Sequence, residues 1–375
     1  MRLEAKEKLF KIIRKVVIDG ERDIPEVRDM KSEELDALFA LAGAHQMKHI
    51  LSFAFYTGGE VRFAKSVFSS ARQTAAQEHA ARVISDAFLQ NEIPFVLLKG
   101  AVIRQLYPEG WMRNSCDVDV LVHDTDLDAA NEALTARGFA RLETLSSHDV
   151  AYSFGTVHIE LHYALIEEHV MSAANSILEG VWDRLSKTES GELVMPDDML
   201  YFYHVAHMAK HFQHGGCGIR SILDLWMLNH RTSFDGDARD RLLRQGELLK
   251  FEREMRRLSE YWFSDGVGDG LEVIEAFVLT GGAYGRVDSG VSLMKSQSGG
   301  RVKYIFKRLF APYSMMVRYY PVLKKHPYLL PIYYVKRCIG ALRRDKSRYF
   351  FELNESLKRD ENAEKVAEML KTLGL

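Results

Sequence analysis

The sequence has little of what marks secreted, membrane-spanning or redox-active proteins. Its three cysteines, Cys116, Cys217 and Cys338, are odd in number and lack CxxC spacing, which indicates incidental thiols in a reducing compartment. No uninterrupted apolar run reaches the ~18 residues that span a bilayer. The N-terminal segment MRLEAKEKLFKII is amphipathic and contains acidic residues, unlike a secretory signal. Together these absences predict a cytoplasmic protein.

An excess of charge of one sign is also missing. Lysine and arginine number 50 and aspartate and glutamate 52, which gives a formal net charge of −2 and no global attraction to nucleic acid. Hydrophobic residues make up 47% of the 375 residues, so the chain can bury a substantial core in two or three domains. Function must therefore be inferred from local patterns.

The segment 94–122, PFVLLKGAVIRQLYPEGWMRNSCDVDVLV, carries the strongest of these patterns. An apolar run at 95–98 predicts a buried strand. Residues 101–107 predict a short helix, which Pro108 and Gly110 terminate. A second strand with alternating apolar and acidic residues then follows.

This second strand, at 117–122, places two carboxylates on one face. Because strand side chains alternate between faces, Asp117 and Asp119 project together while the valines between them enter the core. Two such carboxylates repel each other unless water or a divalent cation compensates them. Lys99 and the free N–H groups of the helix that Gly100 opens would suit a phosphate nearby.

A third carboxylate is predicted on another alternating strand, at 157–162 (VHIELH). Alternation places Glu160 on the face opposite Val157, Ile159 and Leu161. If this strand neighbours the first, the three carboxylates form a pocket of hard oxygen ligands, the kind that suits Mg²⁺ or Mn²⁺.

The order of a glycine before a short helix, a D-x-D strand and a later glutamate resembles the nucleotidyltransferase fold of the DNA polymerase β superfamily. The stretch LLKGAVIRQLYPEGWMRNSCDVDVLV followed by HIELHYAL is similar, more specifically, to a bacterial family of uncharacterised nucleotidyltransferases that is often placed with polysaccharide biosynthesis. HMAKH, SILDLWML and YYPVLKKHPYLLPIYYVKRC extend the resemblance over most of 95–341. Many members of the wider superfamily have Gly-Ser at the helix start, whereas this chain has Gly100-Ala101.

The resemblance implies an α+β fold with a small mixed β-sheet. We expect this nucleotidyltransferase core at 92–195, between an N-terminal helical region at 1–91 and a helical domain at 196–298 that closes the cleft. A basic, aromatic-rich helical region is expected at 299–375. The resemblance also implies transfer of a nucleoside monophosphate from an NTP such as ATP to a hydroxyl acceptor, with release of pyrophosphate.

Roles for individual residues follow from the same resemblance. Asp117 and Asp119 would hold two Mg²⁺ (or Mn²⁺) ions on the triphosphate, and Glu160 would bind the ion that activates the acceptor. With no serine hydroxyl at the helix start, phosphate charge would be neutralised by the N–H groups after Gly100 and by basic side chains; these are Lys99 and Arg113.

A stripe of histidines follows on a predicted helix at 200–212. His204, His207 and His211 lie at i, i+3 and i+7 with Lys210 beside them, so that they share one face. Three interpretations are open: packing against the core, contact of His207, Lys210 and His211 with the triphosphate or acceptor, and a three-histidine zinc site.

The segment 301–348 is basic and aromatic, with Asp345 as its only acid. It fits a peripheral contact with an anionic membrane, a contact with a nucleic-acid backbone, or a solvated basic face over inward-facing aromatics. The acceptor is equally open and includes a sugar, a lipid-linked glycan, a small alcohol, a protein side chain and tRNA. The rival functions are an inactive nucleotide-binding scaffold and a membrane-surface assembly factor.

Overall fold

The computed structural model of the chain describes residues 2–27, 30–57, 59, 61–142, 148–166, 171–283, 310, 313, 316–317, 320, 322–344 and 363–375. Within these residues the strands are β1 (Phe95–Leu97), β2 (Asp117–Val122), β3 (Ala140–Arg141), β4 (Asp149–Phe154), β5 (Val157–His162), β6 (Ser186–Lys187) and β7 (Leu193–Val194). The helices are α1 (Arg2–Ile13), α2 (Ser32–Ala44), α3 (Lys48–Thr57), α4 (Ala64–Gln90), α5 (Lys99–Ile103), α6 (Leu127–Ala136), α7 (Ser172–Glu179), α8 (Asp197–Gln213), α9 (Ile219–Arg231), α10 (Gly236–Gln245), α11 (Leu249–Phe263), α12 (Glu272–Gly281), α13 (Val322–Lys325), α14 (Leu330–Arg344) and α15 (Ala363–Leu373).

The described strands form one mixed sheet in the order β3-β4-β5-β2-β1-β7-β6. β2 lies at its centre, antiparallel to β1 and parallel to β5. In the parallel pair Val118 lies beside Ile159 and Asp119 beside Glu160. Neighbouring residues in register point to the same face, so each face of the β2–β5 pair has its own chemistry.

The apolar face of this pair packs against the long helix α4. Val118, Val120 and Ile159 are buried in one hydrophobic cluster with Phe88 of α4 and with α6. Phe88 also meets Phe95 of β1 edge-to-face, with ring centroids 5.5 Å apart. This side of the sheet is thereby sealed by aliphatic and aromatic side chains.

The opposite face carries the acidic residues and is covered by the later helices. Leu121, two residues beyond Asp119 on the same face, belongs to a second cluster that includes Leu98 and buried residues of α8 and α9. β2 is therefore buried on both faces, as is usual for a central strand with a parallel neighbour. A carboxylate on this strand is held in low-dielectric surroundings.

The expected fold class is confirmed: the protein is α+β, with helices flanking one mixed sheet. The predicted strands at 117–122 and 157–162 agree with β2 and β5 at both ends. The predicted helix at 101–107 begins earlier, as α5, and continues as a 3-10 turn, Arg104–Leu106. The division of the chain into four regions stays a prediction.

The structure describes only part of the basic segment 301–348. Of this prediction, residues 301–309, 311–312, 314–315, 318–319, 321 and 345–348 lie outside the described residues. α13 and α14 surround a small cluster in which Met316 and Leu323 are buried. In the part of the chain that the structure describes, no helix is both long and apolar enough to cross a bilayer.

Candidate metal and nucleotide site

The register of β2 and β5 brings two of the three predicted carboxylates, Asp119 and Glu160, together and adds a histidine. Asp119 and Glu160 are direct neighbours, and His162 lies two residues further along the same face of β5. One ligand atom from each of these three residues lies within 4.8 Å of the other two. Such a group can hold a metal ion.

His162 lies between the two carboxylates, hydrogen-bonded to Asp119 and within ion-pair distance of Glu160. Its Nε2 lies 2.9 Å from Oδ1 of Asp119 and 3.4 Å from Oε2 of Glu160. An ionised carboxylate only accepts hydrogen bonds, so Nε2 carries the proton. Burial lowers the pKa of His162, but these bonds outweigh burial and raise the pKa above its ordinary value. Nδ1 of His162 is buried without a hydrogen-bond partner among the described residues.

Lys99 supplies the positive charge of the site. Its Nζ lies 3.4 Å from Oδ1 of Asp119, which is 3% exposed. Burial raises the pKa of Asp119, but Lys99 and His162 outweigh it and hold the pKa well below its usual range. Lys99 has a φ of 36°, a conformation that residues with a side chain rarely adopt. Backbone strain of this kind concentrates at ligand sites.

Asp117 lies beside this group in a less favourable environment. Ser115 Oγ donates a hydrogen bond of 2.8 Å to its Oδ1. Burial, and then the negative charges of Asp119 and Glu160, raise the pKa of Asp117. The carboxylate is therefore destabilised where it lies, which is the expected consequence of crowding acids without a counter-ion.

The donor set fits a divalent cation. Three carboxyl groups, from Asp117, Asp119 and Glu160, face one ammonium and one imidazole, so negative charge is in excess in partly buried surroundings. Buried charge of one sign is costly unless it is paired or coordinates a metal. Carboxylate oxygens suit Mg²⁺ or Mn²⁺, and an imidazole in the same group widens the choice to softer metals.

The face of α8 that meets the site holds part of the predicted histidine stripe. His207 has a pKa well below its ordinary value because of burial first and the Lys99 charge second, so its imidazole is neutral and lies near Lys99. Its Nε2 is 3.1 Å from Nε2 of His211. His204 is turned away and bonds the carbonyl of Ser221 at 2.9 Å. The stripe is thus divided between packing at His204 and the neighbourhood of Lys99 at His207.

The loop before β2 is fixed by a buried ion pair with α9. Arg113 donates from Nε at 3.0 Å and from Nη2 at 2.8 Å to the two oxygens of Asp224. The Tyr107 hydroxyl donates to the same carboxylate at 2.8 Å. Since the fork of Arg113 is engaged in this way, the contacts favour a positioning role over the expected contact with phosphate. Asp224 pairs with Arg113 and not with Arg220, its neighbour four residues earlier on α9.

Further hydrogen bonds hold the two residues that follow Arg113. Arg220 donates to the carbonyl of Asn114 at 2.7 Å. Gln73 and Gln77 of α4 donate to the carbonyl of Ser115 at 2.7 and 2.9 Å. The backbone that leads into Asp117 is therefore held from both α4 and α9.

Gly100 is needed for close packing beneath this loop. A Cβ at this position would lie 3.0 Å from Nη1 of Arg113 and 3.0 Å from Oγ of Ser115. Helix α5 begins at Lys99, one residue before the glycine, and is five residues long. This close packing is a sufficient reason for a glycine at position 100, independent of any contact with phosphate.

Two residues of this region, His162 and Tyr203, were not singled out from the sequence. His162 shares a strand face with Glu160, so the alternation rule could have identified it. Tyr203 comes from α8, and its proximity to the sheet depends on tertiary packing that no local pattern reports. Tyr203 is buried next to Lys99, Asp119 and Glu160, whose charges act on its hydroxyl.

Of three comparisons with known proteins, one found a match. No curated protein and no solved structure matched the chain. A family model described as "Uncharacterised nucleotidyltransferase" matches residues 34–264, which is more than half of the chain. The matched region runs from α2 to α11 and includes the whole sheet with Asp117, Asp119 and Glu160. The chain therefore belongs to this family of uncharacterised nucleotidyltransferases.

Proposed function

We propose that the protein moves a nucleoside monophosphate from an NTP to a hydroxyl acceptor and releases pyrophosphate. The observation that carries this proposal is the acidic cluster on β2 and β5, which combines excess carboxylate charge with a strained lysine. Membership of the nucleotidyltransferase family supports the same chemistry. We further propose the two-metal mechanism of the polymerase β-like superfamily.

Asp117, Asp119 and Glu160 are the proposed metal ligands. In the metal-free site Nε2 of His162 donates a hydrogen bond to Asp119, so ligation by this nitrogen would require its proton to leave, whereas ionised carboxylates are ready to ligate. Hard carboxylate oxygens then dominate the ligand set, which favours Mg²⁺ or Mn²⁺. When bound, such ions stabilise both the attacking and the leaving oxygen of an in-line displacement.

In the proposed reaction the acceptor oxygen attacks the α-phosphorus of the NTP. The acceptor proton passes to the carboxylate of Glu160, which is 29% exposed and therefore accessible. The bond between the α-phosphorus and the bridging oxygen breaks, and pyrophosphate leaves with that oxygen. Lys99 exchanges its long contact with Asp119 for a phosphate oxygen and neutralises developing charge.

The proposed nucleotide contacts also come from α5 and α8. We assign the backbone N–H of Gly100 and the neutral imidazole of His207 to phosphate oxygens, because both residues adjoin Lys99. Lys210 and His211 lie next to His207 and extend this surface toward the acceptor. The acceptor is a hydroxyl compound such as a sugar or glycan.

The proposal can be tested by following the fate of a label placed at different phosphates of the NTP. NTPs labelled at the α-phosphate or at the γ-phosphate would be incubated with the protein, Mg²⁺ and a cell extract. We expect the α-label to enter an acceptor and the γ-label to appear only in pyrophosphate, and Asp119→Asn should abolish both signals. Transfer of the γ-label to an acceptor would show a phosphotransferase. Binding of NTP without any transfer would favour the inactive nucleotide-binding scaffold.

A second proposal concerns the basic segment: we propose that α13 and α14 contact an anionic membrane surface. Ile332 and Val335 of α14 are 62% and 59% exposed, and Tyr328, in the 3-10 turn Pro327–Leu329 between the two helices, is 73% exposed. Lys325 and Lys336 are exposed nearby, and residues 322–344 contain no acid. Exposed aliphatic side chains flanked by lysines fit a lipid interface, whereas a nucleic-acid backbone gives no reason to expose isoleucine and valine.

Vesicle binding tests this second proposal. We expect the protein to sediment with vesicles containing phosphatidylserine and not with pure phosphatidylcholine, and Ile332→Ser with Val335→Ser should weaken the binding. Val267→Ser, which changes a valine that is 69% exposed outside this segment, is the matched control. Equal sedimentation of the double variant, or binding of single-stranded RNA in place of vesicles, would contradict the proposal.

A further inference from the structure

The hydroxyl of Tyr203 is an unpaired polar group at the centre of the site. Tyr203 lies on α8 and is 1% exposed. Lys99 is its neighbour and can donate to the phenol oxygen, but no described residue accepts a hydrogen bond from the hydroxyl. A buried hydroxyl hydrogen without an acceptor costs free energy of folding, so its retention in a well-packed helix calls for an explanation.

The other buried tyrosines of the described chain show what is usual in this protein. Tyr107 donates to Asp224 at 2.8 Å, Tyr201 to Glu252 at 2.6 Å and Tyr152 to Asn131 at 3.0 Å. Each hydroxyl has an acceptor within hydrogen-bond distance. Tyr203 is the exception, although only one residue separates it from Tyr201 on the same helix.

The charges around the Tyr203 hydroxyl indicate which kind of hydrogen-bond partner it lacks. Burial, and then the balance of Lys99 against Asp119 and Glu160, raises the pKa of Tyr203, so that the group is a neutral phenol at physiological pH. The ammonium of Lys99 only donates hydrogen bonds and can use the phenol oxygen as an acceptor. The phenol hydrogen then needs an acceptor of its own, and an oxygen-bearing ligand next to Lys99 would provide one.

We propose that the Tyr203 hydroxyl donates a hydrogen bond to a phosphate oxygen of the bound nucleotide. This inference rests on the proposed function, since it assigns the triphosphate to the side of the site where Lys99 and α8 meet. Lys99 and Tyr203 together form a donor pair from two different elements, the start of α5 and the middle of α8. Binding of the triphosphate therefore joins the sheet to the helical domain that covers it.

The donor pair discriminates in favour of a polyphosphate over the uncharged parts of the nucleotide. A phenol offers one O–H in a fixed direction, because the ring of Tyr203 is fully buried and cannot turn away. A hydrogen bond to a charged oxygen is stronger than one between neutral groups. Inorganic tripolyphosphate reproduces this part of the ligand without base or ribose, and it is the probe of choice.

The test compares Tyr203→Phe with Tyr201→Phe in the full-length protein. Affinity for Mg²⁺-tripolyphosphate and for a non-hydrolysable NTP analogue would be measured by calorimetry, and stability by urea unfolding. Tyr203→Phe should weaken binding of both ligands about tenfold or more, which corresponds to one hydrogen bond to a charged group. Its stability should be unchanged or higher, because an unpaired hydroxyl is removed.

Tyr201→Phe should give the reverse pattern: lower stability, since Glu252 loses a buried donor, and unchanged affinity for both ligands. Unchanged tripolyphosphate affinity in Tyr203→Phe, with wild-type binding intact, would overturn this inference alone. A lower stability of Tyr203→Phe with unchanged affinity would show that the hydroxyl is structural. If the wild-type protein binds neither probe, the proposed function fails as well.

Discussion

Two buried carboxylates, Asp119 and Asp224, belong to clusters of opposite character. Asp224 is 2% exposed and receives three hydrogen bonds of 2.8–3.0 Å, two from Arg113 and one from Tyr107. Asp119 is 3% exposed and has His162 at 2.9 Å, but its cation Lys99 is 3.4 Å away and two further carboxyl groups lie close by.

The two clusters differ in how fully their polar groups are hydrogen-bonded and in whether their charges cancel. The Asp224 cluster pairs each charge with a partner in good geometry, which is how a buried ion pair offsets its desolvation. The Asp119 cluster has excess negative charge, a strained backbone at Lys99 and an unpaired nitrogen on His162. We infer that the first cluster is a structural joint between the sheet and α9, whereas the second is organised for a ligand.

The largest expected loss of stability comes from removing the carboxylate of Asp224. Asp224→Asn leaves the guanidinium of Arg113 buried without a counter-ion, and breaking such a pair costs about 3–5 kcal/mol in the free energy of unfolding. Asp119→Asn should cost much less, because Lys99 is 19% exposed and can turn toward water. Urea unfolding of both variants in EDTA measures the difference.

A double variant separates this role of the joint from a general loss of packing. Arg113→Met with Asp224→Leu removes both charges and should recover most of the stability lost by Asp224→Asn, since apolar pairs often replace buried ion pairs at little cost. If Asp224→Asn is as stable as the wild type, the ion pair is not the joint that its geometry indicates.

A buried histidine also holds the loop before β2, next to the Asp224 cluster. His49, whose Nε2 donates to the carbonyl of Met112 in the loop before β2, has its pKa lowered to about 4 by burial. Between pH 6.5 and 4 the unfolded chain therefore binds a proton at His49 that the folded protein excludes. The free energy of unfolding should therefore decrease as the pH is lowered through this window, and His49 should account for a loss of about 3 kcal/mol at pH 4.

His49→Gln should flatten that dependence while keeping a donor for the carbonyl of Met112. The free energy of unfolding at pH 7, 5.5 and 4 gives the slope, and only the slope is compared, because the substitution also changes packing. His45, His204 and His207, which also have lowered pKa values, would retain a residual slope. An unaltered slope in the variant would show that His49 titrates in the folded protein much as it does in the unfolded chain.

Glu160→Gln tests the cluster that is organised for a ligand. If Glu160 accepts the acceptor proton, turnover should fall at least ~100-fold, or about 2.7 kcal/mol of transition-state stabilisation, with NTP affinity nearly unchanged. Transfer of α-label and NTP binding would be measured on the same preparation. Glu192→Gln, at the residue before β7, is the matched control and should leave both quantities unchanged.

Two other results of Glu160→Gln are informative. Loss of NTP affinity together with turnover would assign Glu160 to the nucleotide-side metal. Turnover within the small range of surface substitutions would show that β5 contributes no catalytic group, and the three-carboxylate site would have to be abandoned.

Local patterns in the sequence predicted the strands of the site well. β2 and β5 follow from the alternation of apolar and polar residues, and the same rule gave the common face of Asp117 and Asp119 and the placement of Glu160 opposite the apolar face of β5. The register that sets Asp119 beside Glu160 is a property of strand pairing. From the sequence, a shared pocket depended on the condition that these two strands are neighbours. Short edge strands such as β6, with two residues, give no such signal.

What the sequence could not supply is the covering of the sheet by distant helices. Arg113 was expected at the phosphates, but α9 brings Asp224 to it across 111 residues of sequence. Tyr203 was hidden in an apolar helix face, where aromatic residues normally pack. Tertiary contacts decide which charges pair and which buried hydroxyls lack an acceptor. The helical period of a sequence gives only the face of the helix on which such a residue lies.

The smallest expected effect concerns Asp117, the least favourable charge in the site. Its pKa is raised by burial and by Asp119 and Glu160, so ionisation of Asp117 costs folded stability once the pH rises above the ordinary value of an aspartate. Asp117→Asn removes that charge and retains an acceptor for Ser115 Oγ. In EDTA the free energy of unfolding should be unchanged or higher by up to about 1 kcal/mol, the scale of a like-charge contact on a sheet.

Divalent cations should make the wild type more stable than the Asp117→Asn variant. A cation that binds only the folded state stabilises it by mass action, so Mg²⁺ or Mn²⁺ should raise the stability of the wild type and raise that of Asp117→Asn less. The repulsion that weakens the metal-free site is the same interaction that attracts the cation. If Asp117→Asn is less stable than the wild type in EDTA, the carboxylate supports the fold at Ser115, and the contrast between the two clusters does not extend to Asp117.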